Sequence, residues 1–177
     1  MQQTLTLVRG LPGSGKTTIA RTIAAGLRDH RLERAAVFSA DDHFMVNGIY
    51  QFDPSQLPQA HRDCRRRTEE FLRHGGNAIV ANTFTQAWEM TPYVFLTGVY
   101  RTRLVVVDCF DGGMSDRELA KKNVHGVPLP AIQAMRQRWE HDWRSGDVRP
   151  PPLGEKVRLP KATKPHTSVW GFCLRKH

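Results

Sequence analysis

The run Gly10-Leu11-Pro12-Gly13-Ser14-Gly15-Lys16-Thr17 constrains this 177-residue chain more than any other stretch. It has the spacing G-x-x-x-x-G-K-[ST]. It lies between a β-prone segment, Thr4 to Val8, and residues Ile19, Ala20, Ile23, Ala24 and Leu27, which recur at helical spacing. Glycines placed this way let successive backbone N–H groups curl around an anion, and a helix that starts at once adds its positive dipole end. The pattern serves phosphate binding. Gly10, Pro12, Gly13, Ser14, Gly15 and Thr18 would shape the cradle, Lys16 would reach the β- and γ-phosphates, and the Thr17 hydroxyl would ligate Mg²⁺. The cofactors expected from this loop are ATP and Mg²⁺.

The strand, loop and helix unit recurs along the chain. Ala35 to Phe38 is a second short apolar run, followed by Leu57, Ala60, Cys64, Thr68 and Phe71 on one face of a helix that ends near Gly75-Gly76. Ala78 to Ala81 opens a third unit, with Trp88, Phe95 and Val99 as its helical stripe. Leu104 to Val107 is a fourth strand, whose continuous β-branched run predicts burial on both faces, as in a parallel sheet. Ser115-Asp116-Arg117-Glu118 has the form of a capping box for a short helix through Lys121 and Lys122. After a loop from Asn123 to Pro130 comes a last helix, on which Ile132, Met135, Trp139 and Trp143 form an apolar stripe. Alternating strands and helices predict an α/β, three-layer P-loop NTPase fold: a mainly parallel sheet, helices on both faces and a helical lid at about 112–130.

In open α/β sheets, ligands bind outside the carboxyl ends of the strands. The second predicted strand ends in Ser39-Ala40-Asp41-Asp42-His43, the third in Asn82-Thr83, and the fourth in Asp108-Cys109-Phe110-Asp111. A carboxylate just beyond the second strand is placed to accept a proton from an attacking hydroxyl, and Asp41 takes that catalytic role. Asp42, Phe44, Asn82 and Thr83 are the further residues expected on the acceptor side, although Asp41-Asp42 also has the composition of an ordinary N-cap pair. Phosphoryl transfer needs positive charge opposite the loop as well. The basic segment from Arg117 through Lys121-Lys122 to His125, with Arg136 and Arg138, offers it, and Lys122 and Arg136 are the catalytic candidates there. Gly112-Gly113 and Gly126 flank this segment as hinges would.

Composition excludes some classes. Hydrophobic content of 40% and charged content of 24% are those of a globular chain rather than a disordered one. No stretch nears the roughly 18 apolar residues of a membrane span. The first 25 residues hold Gly, Pro, Ser and Lys where a signal peptide would be apolar, so no membrane partner and a cytoplasmic location are expected. Cys64, Cys109 and Cys173 lack the spacing of a zinc site or a disulfide framework. The net charge is +9, and eight basic residues against two acidic ones from Arg144 to His177 supply +6 of it. That makes 145–177 a basic, Pro-containing extension of a kinase-like domain at 1–144, with short strands expected at Val157 to Leu159 and Val169 to Leu174. Its basic residues with Trp170 and Phe172 fit nucleic acid as a partner, and a solvated tail equally.

The chain resembles the P-loop kinases of the polynucleotide 5′-kinase type, and especially the kinase domain of an animal ubiquitin-ligase-binding protein and its shorter relatives. The matches run from about residue 5 to 143. They are Val8-Arg9-Gly10 with the loop through Thr17, Ser39-Ala40-Asp41-Asp42, Tyr50-x-Phe52-Asp53-Pro54, Leu57, Ala60-His61 with Cys64, and Val80-x-Asn82-Thr83. They continue in Asn123-x-His125-Gly126-Val127-Pro128 with Ile132, Met135 and Arg138-Trp139-Glu140. The resemblance implies ATP·Mg²⁺ as donor, a hydroxyl as acceptor and Asp41 as general base. It places Asn82 near acceptor and metal, and a basic lid around Lys122. Two departures stand out. Where the bacteriophage end-healing members have a phosphate-clamping arginine, this chain has Phe44 beside His43, and their lid arginine is replaced by a choice among Lys121, Lys122, His125 and Arg136.

Three functions follow as expectations. The first is an ATP-dependent kinase acting on a hydroxyl of nucleic acid, with DNA favoured over RNA and the 5′-end ahead of a hydroxymethylated pyrimidine, as in phage DNA modification. For the latter acceptor, Phe44, Tyr50 or Phe52 would stack on an extruded base, the other reading being that Phe44 and Phe52 are core. The second is a small-molecule kinase, and the third a non-catalytic nucleotide-dependent adaptor.

Overall fold

The computed structural model describes residues 2–29, 34–144 and 147–149. Four parallel strands form the sheet: β1 (Thr4–Arg9), β2 (Ala35–Phe38), β5 (Asn77–Asn82) and β6 (Arg103–Asp108), in the order β2-β5-β1-β6. Register pairs Arg9 with both Asn82 and Asp108, so the strands end together on one rim. The period-2 alternation of β1 and β5 divides the core. Leu5, Leu7, Ala78 and Val80 face helices α2 (Leu57–Arg73) and α3 (Ala87–Tyr100), while Val8, Ile79 and Ala81 meet Ala20 and Ala24 of α1 (Lys16–Asp29). Helices therefore cover both faces, as the alternating pattern predicts. Helices α4 (Asp116–Lys122) and α5 (Leu129–Gln137) form the lid, packed through Leu119 and Ile132 on Leu11.

Several expectations change. β6 is an edge strand, and Leu104 to Val107 are only partly buried because, among the described residues, β1 alone pairs with it. The buried side of α3 is Met90, Thr91, Tyr93 and Leu96, while Phe95 and Val99 are exposed. That helix is apolar nearly all round, so periodicity does not choose a face and the sheet does. Helix α5 stops at Gln137, so Trp139 lies beyond it, and Trp143 packs against the α2 and α3 side instead of continuing the stripe. A two-stranded antiparallel hairpin, β3 (Met45–Val46) and β4 (Ile49–Tyr50), is an addition. Its turn is Asn47-Gly48, both with positive φ, which is the type I′ geometry that Asn-Gly favours. That dipeptide between apolar pairs was the signal. At the start of the C-terminal extension, Arg149 exchanges hydrogen bonds with Thr91 of α3. The strands expected at Val157 to Leu159 and Val169 to Leu174, with Trp170 and Phe172, lie outside the described residues. Among the described residues, no helix is long and apolar enough to cross a membrane.

Candidate active site

The loop between β1 and α1 is clamped at its base. Gly10 N–H donates to the Thr83 carbonyl at 3.1 Å, and Cys109 N–H donates to the Arg9 carbonyl at 2.7 Å. The space inside is tight. A Cβ on Gly10 would come within 2.7 Å of Ser14 Oγ and 2.9 Å of Cys109 Cβ; one on Gly13, whose φ is +81°, would strike the Leu119 carbonyl of the lid. Ser14 Oγ is buried and, among the described residues, has no hydrogen-bond partner, a polar atom that a phosphate oxygen would satisfy. α1 has no acidic residue in its first turn, so nothing there offsets its positive end, and Thr17 and Thr18 are exposed on it. Lys16 Nζ donates to the Leu11 carbonyl at 2.9 Å. Burial lowers its pKa to about 8, against the opposing pull of the Asp41 charge. The Ser14 hydroxyl, a tight cradle and an ammonium fit a nucleotide phosphate. Thr17 would be the protein's oxygen on Mg²⁺, which would neutralise charge between phosphate oxygens.

Asp41 stands across from Lys16 on a short turn, Ala40–Phe44, that leaves β2. Ser39 caps that turn, with Asp42 reaching back to the Ser39 N–H at 2.9 Å and held by Arg67 at 2.9 Å. Both side chains are 47% exposed, but Asp42 is tied into the cap and to Arg67, whereas Asp41 meets Tyr50 and the lid's His125. Tyr50 donates its hydroxyl to Asp41 Oδ1 at 3.2 Å. Ser39 Oγ has one hydrogen to share between Asp41 Oδ2 at 3.3 Å and Asn82 Oδ1 at 3.4 Å. Asn82 is buried, accepts from Ala40 N–H at 2.9 Å and points its amide at Cys64 Sγ, so it positions the Asp41 turn from the end of β5. Thr83 contributes its carbonyl to the loop clamp. Phe44 is 2% exposed and edge-on to Tyr50 and Phe52, so it is core and offers no face to a ligand; the rim aromatics are Tyr50 and Phe52.

The lid brings His125, rather than Lys122, to this centre. His125 Nε2 lies 3.7 Å from Asp41 Oδ2, and its ring is 4.5 Å from that of Tyr50. Lys121 and Lys122 are exposed in the last turn of α4. Arg136 bridges Asp111 at 2.9 Å and Asp116 at 2.6 Å, fastening α5 to the segment after β6. Asp111 is engaged in that bridge, whereas Asp108 meets Arg9 at 3.3 Å while staying largely exposed. Among the described residues no cluster of three His, Cys, Asp or Glu stands ready to hold a metal.

The structural role of one motif residue, Arg9, was not disclosed by its place in the sequence. Arg9 is 1% exposed, beneath the loop. It donates to the carbonyls of Phe84 at 3.1 Å and Glu140 at 2.8 Å, and its guanidinium lies 4.3 Å over Trp139. Burial lowers its pKa, opposed by Asp108 and Glu140. Arg138 donates to Thr85 Oγ1, and Glu140 accepts from Ala87 N–H, so the lid's exit is anchored to the end of β5 and the start of α3. The only hint in the sequence was a charged residue closing an apolar strand.

With this geometry in place, the family description "AAA domain" matches residues 5–141. The chain belongs to the AAA-domain family. It is 37% identical over 138 residues, or 77% of its length, to human NEDD4-binding protein 2, of which it spans 8%. Kti12 from Chaetomium thermophilum, solved with ADP-AlF3, is similar in fold, with a TM-score of 0.59 and 18% identity over 77% of this chain and 80% of that one. A chain of the Pnkp1/Rnl/Hen1 RNA repair complex gives a TM-score of 0.58 and 19% identity over 77% and 44%. The APS kinase CysC of Mycobacterium tuberculosis, in a variant form, gives 0.51 and 14% over 77% and 98%. These solved structures establish the fold. The matched stretch, residues 5–141, coincides with the span over which the sequence motifs resemble those of P-loop kinases.

Proposed function

We propose that this protein is an ATP-dependent phosphotransferase whose acceptor is a hydroxyl on nucleic acid, a polynucleotide 5′-hydroxyl first. The observation that carries the reading is Asp41, exposed to the cleft opposite Lys16 and held by Tyr50, Ser39 and the lid's His125. In the reaction the acceptor oxygen bonds to the γ-phosphorus as its proton passes to the Asp41 carboxylate and the bond to the β-phosphate oxygen breaks. Lys16 stays on the phosphate side and offsets the growing charge there. Lid closure by α4, already seated on Gly13, excludes water that would otherwise compete as acceptor. The net charge of +9 supports a polyanionic acceptor, and a chain of like fold sits in an RNA repair complex.

Phe44 in the core supports a second acceptor, the hydroxymethyl group of a modified pyrimidine, because the position that clamps a terminal phosphate in the end-healing kinases carries no charge here. Incubation with γ-labelled ATP and 5′-hydroxyl DNA, 5′-hydroxyl RNA or end-blocked DNA with hydroxymethylated pyrimidines decides among these. The expected result is label on the 5′-terminal nucleotide. Label on a base selects the second acceptor, and label only on a metabolite in place of either polymer contradicts both.

A further inference from the structure

We propose that Tyr50 and Phe52 form the platform on which the base of the acceptor nucleotide stacks, one hydrogen bond away from Asp41. This deepens the reading of Asp41 as the acceptor-side base and rests on it. The hairpin turn at Asn47-Gly48 sets the register that pairs Met45 with Tyr50. From there the chain stays extended, held by Gln51 N–H on the Phe44 carbonyl at 2.8 Å, so Tyr50 and Phe52, two residues apart, project to the same side. Their rings lie within 8° of parallel with centroids 6.4 Å apart. Buried Phe44 packs against both in edge-to-face geometry, at 6.0 and 5.1 Å, and so constrains their tilt.

The Phe52 end of this pair is open, while His125 lies against Tyr50. Phe52 is 49% exposed, and Met45, Val46 and Ile49 on the same hairpin are also exposed, an unusual amount of apolar surface beside a charged centre. The occupant must bring a flat apolar face and, within a few ångströms of it, a hydroxyl that can meet Asp41. An aliphatic chain has no flat face to lay on the rings, and a bare sugar brings the hydroxyl without a π-face. A nucleotide has both, and every base offers a π-face, so this contact adds affinity with little sequence preference. His125, tilted 42° to Tyr50 at 4.5 Å, would border the base from the lid.

The test compares a short 5′-hydroxyl strand with the same strand made abasic at its terminal nucleotide. Binding is read by fluorescence anisotropy with a non-transferable ATP analogue, and transfer with γ-labelled ATP. For the wild-type protein, loss of the base should weaken binding and raise the acceptor KM by roughly 10- to 100-fold. Phe52→Leu should weaken the intact strand to a similar degree and then respond little to removal of the base, with KM for ATP unchanged. Phe52→Trp should restore the discrimination, and Tyr50→Phe, which keeps the ring, should preserve it while lowering kcat. If Phe52→Leu still distinguishes intact from abasic strands as the wild type does, the platform is refuted, whatever the transfer assay shows. If the wild type transfers no label but binds the intact strand better through Phe52, the platform stands and the kinase reading fails.

Discussion

On the proposed donor side of the cleft, residues Gly10 to Thr17 make their surface from backbone: glycines that let the chain approach itself, a helix start and a single ammonium. On the proposed acceptor side, Asp41 is held in place by side chains from four separate segments, Ser39, Tyr50, Asn82 acting through Ser39 and Ala40, and His125 from the lid. A backbone site tolerates few substitutions at its glycines, because φ and close contact leave no alternative. A side-chain site can change acceptor by exchanging one or two rim residues while its carboxylate stays put. The contrast explains how one loop can serve many acceptors, and it can be broken residue by residue.

Lys16→Ala removes the donor side's one ammonium and should have the largest effect, a fall of about 10²- to 10³-fold or more in the rate of γ-phosphate transfer, measured by label incorporation. Transfer at the wild-type rate would end the phosphotransferase reading. On the acceptor side, Phe44→Ala should cost about 3–5 kcal/mol of stability in thermal or urea unfolding, since Phe44 is core. Phe52→Ala, half exposed, should lose only the ring pairing, about 0.5–1.5 kcal/mol. Equal losses would mean the two rings do not divide into support and surface.

Gly13→Ala meets both a left-handed φ and the Leu119 carbonyl, and should cost about 1–3 kcal/mol along with affinity for an ATP analogue. Gly15→Ala has a positive φ but no neighbour within 4 Å, so it should cost about 1–2 kcal/mol. Thermal shift with and without nucleotide separates these effects.

The smallest effect is a protonic one. A Lys16 pKa near 8 leaves much of the ammonium deprotonated at pH 8 to 9 before nucleotide binds, and the triphosphate favours its charged form. Nucleotide binding should therefore take up a fraction of a proton near pH 8. Affinity should fall as pH rises through that value and level off below about pH 7. Titration calorimetry in two buffers of different ionisation enthalpy reads this directly, and identical heats would deny it. For folding the sign is opposite. The folded Lys16 holds fewer protons than the unfolded one between about 8 and 10.5, so this group alone makes the nucleotide-free protein more stable as pH rises across that window.

The two sides also differ in how far the sequence discloses them. The loop is contiguous, each residue's role follows from its own backbone, and reading it in order was enough. Asp41 was singled out by a topological argument, that groups just past a strand end face the ligand, and in the structure its charge acts on Lys16. The division between Asp41 and Asp42 needed Arg67, 25 residues on, to show which carboxylate is tied down. The burial of Arg9 was not legible because its partners Trp139 and Glu140 lie at the far end of the domain, and Arg136 read as a free cation because Asp111 and Asp116 are brought to it only by the lid's fold. The hairpin at Asn47-Gly48 was legible and went unread; the buried face of α3 was not legible, since an all-round apolar helix has no preferred side.

The central claim is that Asp41 does the acceptor-side chemistry while the loop holds the donor independently of it. Asp41→Asn, assayed side by side for ATP-analogue affinity and for γ-label transfer to a 5′-hydroxyl strand, tests both halves at once. The account predicts affinity within a few-fold of wild type with transfer reduced about 10²- to 10⁴-fold. Transfer at the wild-type rate, or loss of nucleotide binding together with transfer, would contradict it.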